Sequence, residues 1–166
     1  MATVTTLPAT FVSGAVLTAA QQNDLRGAFR VLQVVSIPIT SESTSNTNTL
    51  IDTNVTANIT PSNTSSKILV IVNHTNCYKS GGTSGTGITM KLRRGGTDIY
   101  NVSTEVGLTS VTQATIFSVS FAFLDSPSSV AALTYKTRFA SSSNVAEVRC
   151  QVNGAQSNIT LMEISA

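Results

Sequence analysis

Charge is the scarcest commodity in this sequence. Asp, Glu, Lys and Arg make up 11% of its 166 residues, and the net charge is +2. Globular domains usually carry roughly 25% charged residues. Tryptophan is absent, aromatic residues reach only 5%, and there is one histidine and there are two cysteines. Each shortage excludes something. The ten basic residues are scattered, and only Lys91, Arg93 and Arg94 cluster, without an aromatic stripe. A nucleic-acid face needs a denser basic patch with stacking partners, so no nucleic-acid partner is expected. No apolar run reaches the length of about 18 residues that a membrane-spanning helix needs. The opening residues lack the basic region and apolar stretch of a secretory signal, so folding in a cytoplasm is expected.

Catalytic and metal chemistry are equally thin. His74 follows the apolar run "KILVIV" with no nucleophile at a motif spacing, and it reads as a satisfied strand-end histidine. His74, Cys77 and Asp98 form no recognised metal spacing. The eight acids are dispersed, and "SGGTSGTG" lacks the Lys-Ser/Thr ending of a phosphate loop. No catalytic residue, metal or cofactor is expected, and the chain reads as non-enzymatic. Cys150 is in phase with Ala146 and Val148 and reads as a small buried hydrophobe. Cys77 stands beside the glycine-rich run and reads as free. Two cysteines allow one bridge, which a cytoplasmic fold does not need.

What the chain has in quantity is 47 Ser and Thr residues, with 12 Asn. Six Asn-x-Ser/Thr tripeptides, at Asn54, Asn58, Asn63, Asn73, Asn101 and Asn158, follow from that composition. From Arg30 onward these small polar residues alternate with apolar ones at the strand period of two. "NVTANIT" turns Val55, Ala57 and Ile59 inward and stops at Pro61. "KILVIVNH" is nearly all apolar and reads as a strand buried on both faces. "GITMKLRRGGTDIYNV" reads as a hairpin, with Gly95-Gly96 at its turn. "TIFSVSFAFLD" sets Phe117, Val119, Phe121 and Phe123 on one face and Ser118, Ser120 and Ala122 on the other. Eight or nine such strands, separated by Gly, Pro, Asn and Ser turns, predict an all-β sandwich or barrel.

Residues 1–29 differ. Thr18 and Gln21 form a capping box, and Leu25, Ala28 and Phe29 fall on one helical face. Ten or so residues are too few for a helix stable alone in water. The spacing therefore predicts an extended arm with one short docking helix, ahead of a folded body at 30–166. Phe11, Val16, Leu17, Leu25 and Phe29 are its apolar docking side chains.

Two stretches carry a resemblance. "FVSGAVLTAAQQNDL" resembles the short N-terminal segment common in bacteriophage virion proteins. "RVLQVVS", "ITPSNTSSKILVIV", "MKLRRGGTDI", "FLDSPSSVAALTYKTRF" and the terminal "ITLMEISA" are similar to a domain of phage tail-fibre and virion structural proteins. The resemblance implies a jelly-roll-like sandwich, a homotrimer, and a place in a virion assembled in the host bacterial cytoplasm beside other phage proteins. On this reading the chain is a short fibre or knob displayed for host contact. A capsid decoration protein at local threefold sites and a soluble carbohydrate-binding module are the alternatives. The smooth Ser118, Ser120 and Ala122 face is the expected trimer contact. Tyr78 and Lys79, in the loop "NCYKSGGTSGTG", are the expected exposed recognition residues for a host-surface glycan.

Overall fold

The computed structural model describes Gly14, Val16 and residues 30–81, 85–109 and 113–165. Ten strands run through the described residues. They are β1 (Val31–Ile39), β2 (Ser43–Ser45), β3 (Ile51–Ile59), β4 (Lys67–Lys79), β5 (Thr86–Arg94), β6 (Thr97–Thr109), β7 (Thr115–Asp125), β8 (Leu133–Ser141), β9 (Val148–Cys150) and β10 (Ser157–Ile164). The only helical turn among the described residues is a 3-10 turn at Val152–Gly154. The expected N-terminal helix lies outside them, as do Phe11, Leu17, Leu25 and Phe29; Val16 is described and is 91% exposed.

Pairing is nested. β1 pairs β10, β3 pairs β8, β4 pairs β7 and β5 pairs β6, all antiparallel. One sheet runs β1-β10-β4-β7, with the short β9 and β2 continuing from the far end of β4. The other runs β3-β8-β5-β6. Two four-stranded sheets in this order make a jelly roll, so of the sandwich or barrel expected from alternation it is the sandwich that is present, with two short strands added.

Alternation builds each layer. In β3, Thr53, Val55, Ala57 and Ile59 are buried while their neighbours are exposed. In β5, Ile88, Met90 and Leu92 are fully buried, and the two-residue turn at Gly95-Gly96 leads into β6 with Gly95 at a φ of 54°. Phe121 and Phe123 of β7 pack with Tyr100 of β6, whose ring stacks on Phe123 at 4.9 Å. Burying each large apolar side chain stabilises the fold by roughly 1.5–3 kcal/mol. At one end, Asp125 ties three strands together: it accepts from the Tyr135 hydroxyl and from Arg94, each at 2.6 Å. Burial and that carboxylate hold the Tyr135 phenol protonated far above its usual range.

Two expectations are corrected by β4. It is not buried on both faces: Ile71 is 41% exposed and Leu69 half-buried, because nothing among the described residues covers the outer side of its sheet. Nor do Tyr78 and Lys79 belong to an exposed loop, since they are the last two residues of this strand. A bulge between His74 and Cys77, with Asn76 at a φ of 47°, shifts the phase of the strand. Up to His74 the even-numbered residues face inward, and after the bulge Cys77 and Lys79 do. Lys79 is therefore fully buried, with its Nζ donating to Thr109 Oγ1 at 2.9 Å.

Candidate functional site

The bulge brings together side chains that are far apart in sequence. His74, Cys77 and Cys150 are all fully buried, with ligand-type atoms within 4.8 Å of one another. Cys150 enters from β9, whose register opposite β4 pairs Tyr78 with Arg149 and Lys79 with Val148. The thiols of Cys77 and Cys150 lie 3.5 Å apart. Cys77 is thus not the loop residue the sequence suggests but one half of a buried thiol pair.

Both ring nitrogens of His74 are occupied. Nε2 lies 2.9 Å from Thr137 Oγ1, and Nδ1 lies 2.9 Å from the Gln151 amide nitrogen, which also donates to Ser157 Oγ. Thr137 Oγ1 in turn shares a 2.6 Å hydrogen bond with Thr53. Burial lowers the His74 pKa to about 4, keeping the ring neutral at pH 7. The Cys150 thiol is pushed well up, first by its hydrogen bond with Cys77 and then by burial. The thiol pair and an imidazole bonded at both nitrogens make a buried polar plug in the core, in which the Gln151 Oε1 alone has no hydrogen-bond partner. A metal would have to displace one imidazole bond and take protons from both thiols.

Outside this plug lies a surface cleft of about 160 Å³ lined by Tyr78, Ile116, Arg149, Val152 and Asn153. The Arg149 guanidinium sits 5.7 Å from the centre of the Tyr78 ring. It also pairs with Glu147 at 2.5 Å and Glu42 at 3.3 Å, and the bond to Glu147 raises its pKa. Two carboxylates on one guanidinium leave no net positive charge for an anion. The cleft holds no nucleophile-and-base pair, so what it offers a ligand is an aromatic edge, an exposed Ile116 and neutral hydrogen-bonding groups. Tyr78 thus lines a cleft, whereas Lys79 behind it has no access to a ligand.

The third feature is the outer face of the β1-β10-β4-β7 sheet. Register aligns its outward residues in transverse rows. One row is Val34, Met162, Leu69 and Leu124; the next is Ser36, Thr160, Ile71 and Ala122; the third is Pro38, Asn158, Asn73 and Ser120. None of these twelve side chains is charged. Val34 and Leu124 are about half exposed, at 54% and 50%. The polar members satisfy one another: Ser36 bonds Thr160 and Asn158, Thr160 donates to Asn158 Oδ1 at 2.8 Å, and Ser120 donates to Asn73 Oδ1 at 2.8 Å. Ser118, Ser120 and Ala122 all lie on this face and are exposed. The apolar row was hidden in the sequence, because an outward Leu69 and Ile71 cannot be told from core residues in an all-apolar run. Spacing of the outward Ser36, Asn73 and Ser120 was the available signal.

No protein-family model matches the chain, and no curated protein matches its sequence. Solved structures resembling it include the infectious bursal disease virus VP2 subviral particle, at 10% identity and a TM-score of 0.48 over 80% of this chain and 39% of that one. The structure of infectious bursal disease virus Gx strain matches at 13% identity and a TM-score of 0.44, over 81% of this chain and 37% of that one. The chain therefore spans well under half the length of these proteins.

Proposed function

We propose that this chain is a non-enzymatic structural subunit of a bacteriophage particle. It works as a homotrimeric short fibre or knob, held to the virion by residues 1–29 and displayed for host-surface contact. The observation that carries the reading is the three uncharged, internally hydrogen-bonded rows on the outer face of the β1-β10-β4-β7 sheet, with Lys67 as a charge at their edge. Burying ions in an interface costs desolvation, and burying hydroxyls whose bonds are already made costs little. A surface whose polar groups are already bonded to one another suits close contact with identical neighbours. The phage-like phrases at both ends of the sequence supply the particle, and the jelly roll is an architecture common to capsid and lectin domains. Ser118, Ser120 and Ala122 form the trimer contact, and Tyr78, in its cleft, meets a host-surface glycan.

Three experiments test this. Replacing Ser120 with Arg places an ion in the proposed contact and should weaken assembly by several kcal/mol. Light scattering should then show a trimer for the parent protein and monomers for the variant. An unchanged trimer would move the contact to another surface. Deleting residues 1–29 should leave a soluble trimer that melts like the parent protein but fails to join virions. A misfolded truncation would make the first segment part of the sandwich core. Quantitative mass spectrometry of virions separates the fibre, at tens of copies, from a decoration protein, at hundreds.

A further inference from the structure

We propose that Cys77 and Cys150 are a dormant disulfide site, closing under oxidation into a cross-strand bridge that fastens β9 to β4 beside the Tyr78–Arg149 cleft. The β4–β9 register pairs Tyr78 with Arg149 and Lys79 with Val148. Continued by one residue, it sets Cys77 directly opposite Cys150. Opposed antiparallel residues have Cα atoms about 4.5–5.5 Å apart, inside the span of about 4.4–6.8 Å that disulfides bridge. The sulfurs already touch at 3.5 Å. They are the only cysteines in the sequence, so neither has another partner within the chain. The neighbouring His74 is engaged at both ring nitrogens and does not compete for the sulfurs as a metal-binding triad would.

The bridge has a mechanical consequence. β9 is three residues long and is held to β4 by two residue pairs and to β2 by three. Such a short segment is the kind that opens locally. A covalent tie between residues 77 and 150 would hold it shut and fix Arg149 against Tyr78 across the adjacent pair.

Glutathione disulfide is a sufficient oxidant. During a local opening of β9, one protein thiol loses its proton and attacks a glutathione sulfur. A mixed disulfide forms and one glutathione thiolate leaves. The second protein thiolate then attacks the protein sulfur of the mixed disulfide and releases the second glutathione. Two protein thiols are oxidised, one glutathione disulfide is reduced to two glutathione thiols, and the two protons pass to them. Burial disfavours the thiolate, so closure is slow in the intact fold and fast when urea promotes opening.

The full chain should be incubated with glutathione disulfide, both in buffer and in urea just below its unfolding midpoint, and then returned to buffer. Intact mass should fall by two hydrogens, and after full denaturation neither cysteine should react with a maleimide. Cys150→Ser, treated identically, should carry a single glutathione adduct and no bridge. Lasting adducts on the parent protein, or two thiols still labelled after the urea treatment, would overturn the assignment. So would Zn²⁺ that stays with the reduced protein through gel filtration and is lost in Cys150→Ser, since the cluster would then be a metal centre.

Discussion

Acidification from pH 6.5 to pH 4 is expected to destabilise the fold by about 3 kcal/mol through His74 alone. The ring is neutral and fully buried, with its pKa lowered from 6.5 to about 4 by burial. In the unfolded chain the same ring takes a proton near pH 6.5. Between those values the unfolded state binds the extra proton, so stability is complete above pH 6.5 and falls as the pH drops toward 4. No carboxylate among its hydrogen-bond partners offsets this, because they are Thr137 and Gln151. Urea-unfolding free energies at pH 7, 5.5 and 4 measure the slope. His74→Gln should be less stable at pH 7 but much flatter across this window. Parallel curves for the two proteins would mean that His74 titrates normally in the fold.

Gly107→Ala should be the most damaging glycine substitution among the described residues, at about 2–5 kcal/mol. Two costs add. The residue has a φ of 68°, in the left-handed region that costs a side-chain-bearing residue about 1–2 kcal/mol. A methyl group there would also overlap the Phe117 ring, which packs against the cluster of Cys77, Ile88, Met90, Val119 and Phe139. Moving that ring disturbs packing between β6 and β7, an over-packing cost of about 1–3 kcal/mol. Gly95→Ala isolates the first cost, since its φ is 54° and a methyl group would meet open space. Thermal or urea unfolding of both variants decides the matter. Equal losses would show that the Phe117 ring moves aside freely and that the backbone alone matters.

Several features were legible in the sequence alone because they depend on neighbours along the chain. Alternation determined which face of β3, β5 and β7 is buried, and the stripe of Phe117, Val119, Phe121 and Phe123 falls inward as its period requires. Glycine chemistry placed the β5–β6 turn, and the lack of charge anticipated a surface of hydroxyls and amides. Tertiary structure decided what depends on residues far apart. A period-two pattern is blind to a bulge, and one residue inserted near Asn76 turned Lys79 from the surface into the core. The same shift set Cys77 against Cys150, a partner 73 residues away that only the β4–β9 pairing could bring within reach. An unbroken apolar run likewise has no marked face, so the exposure of Leu69 and Ile71 was settled by which side of the sheet the second layer covers.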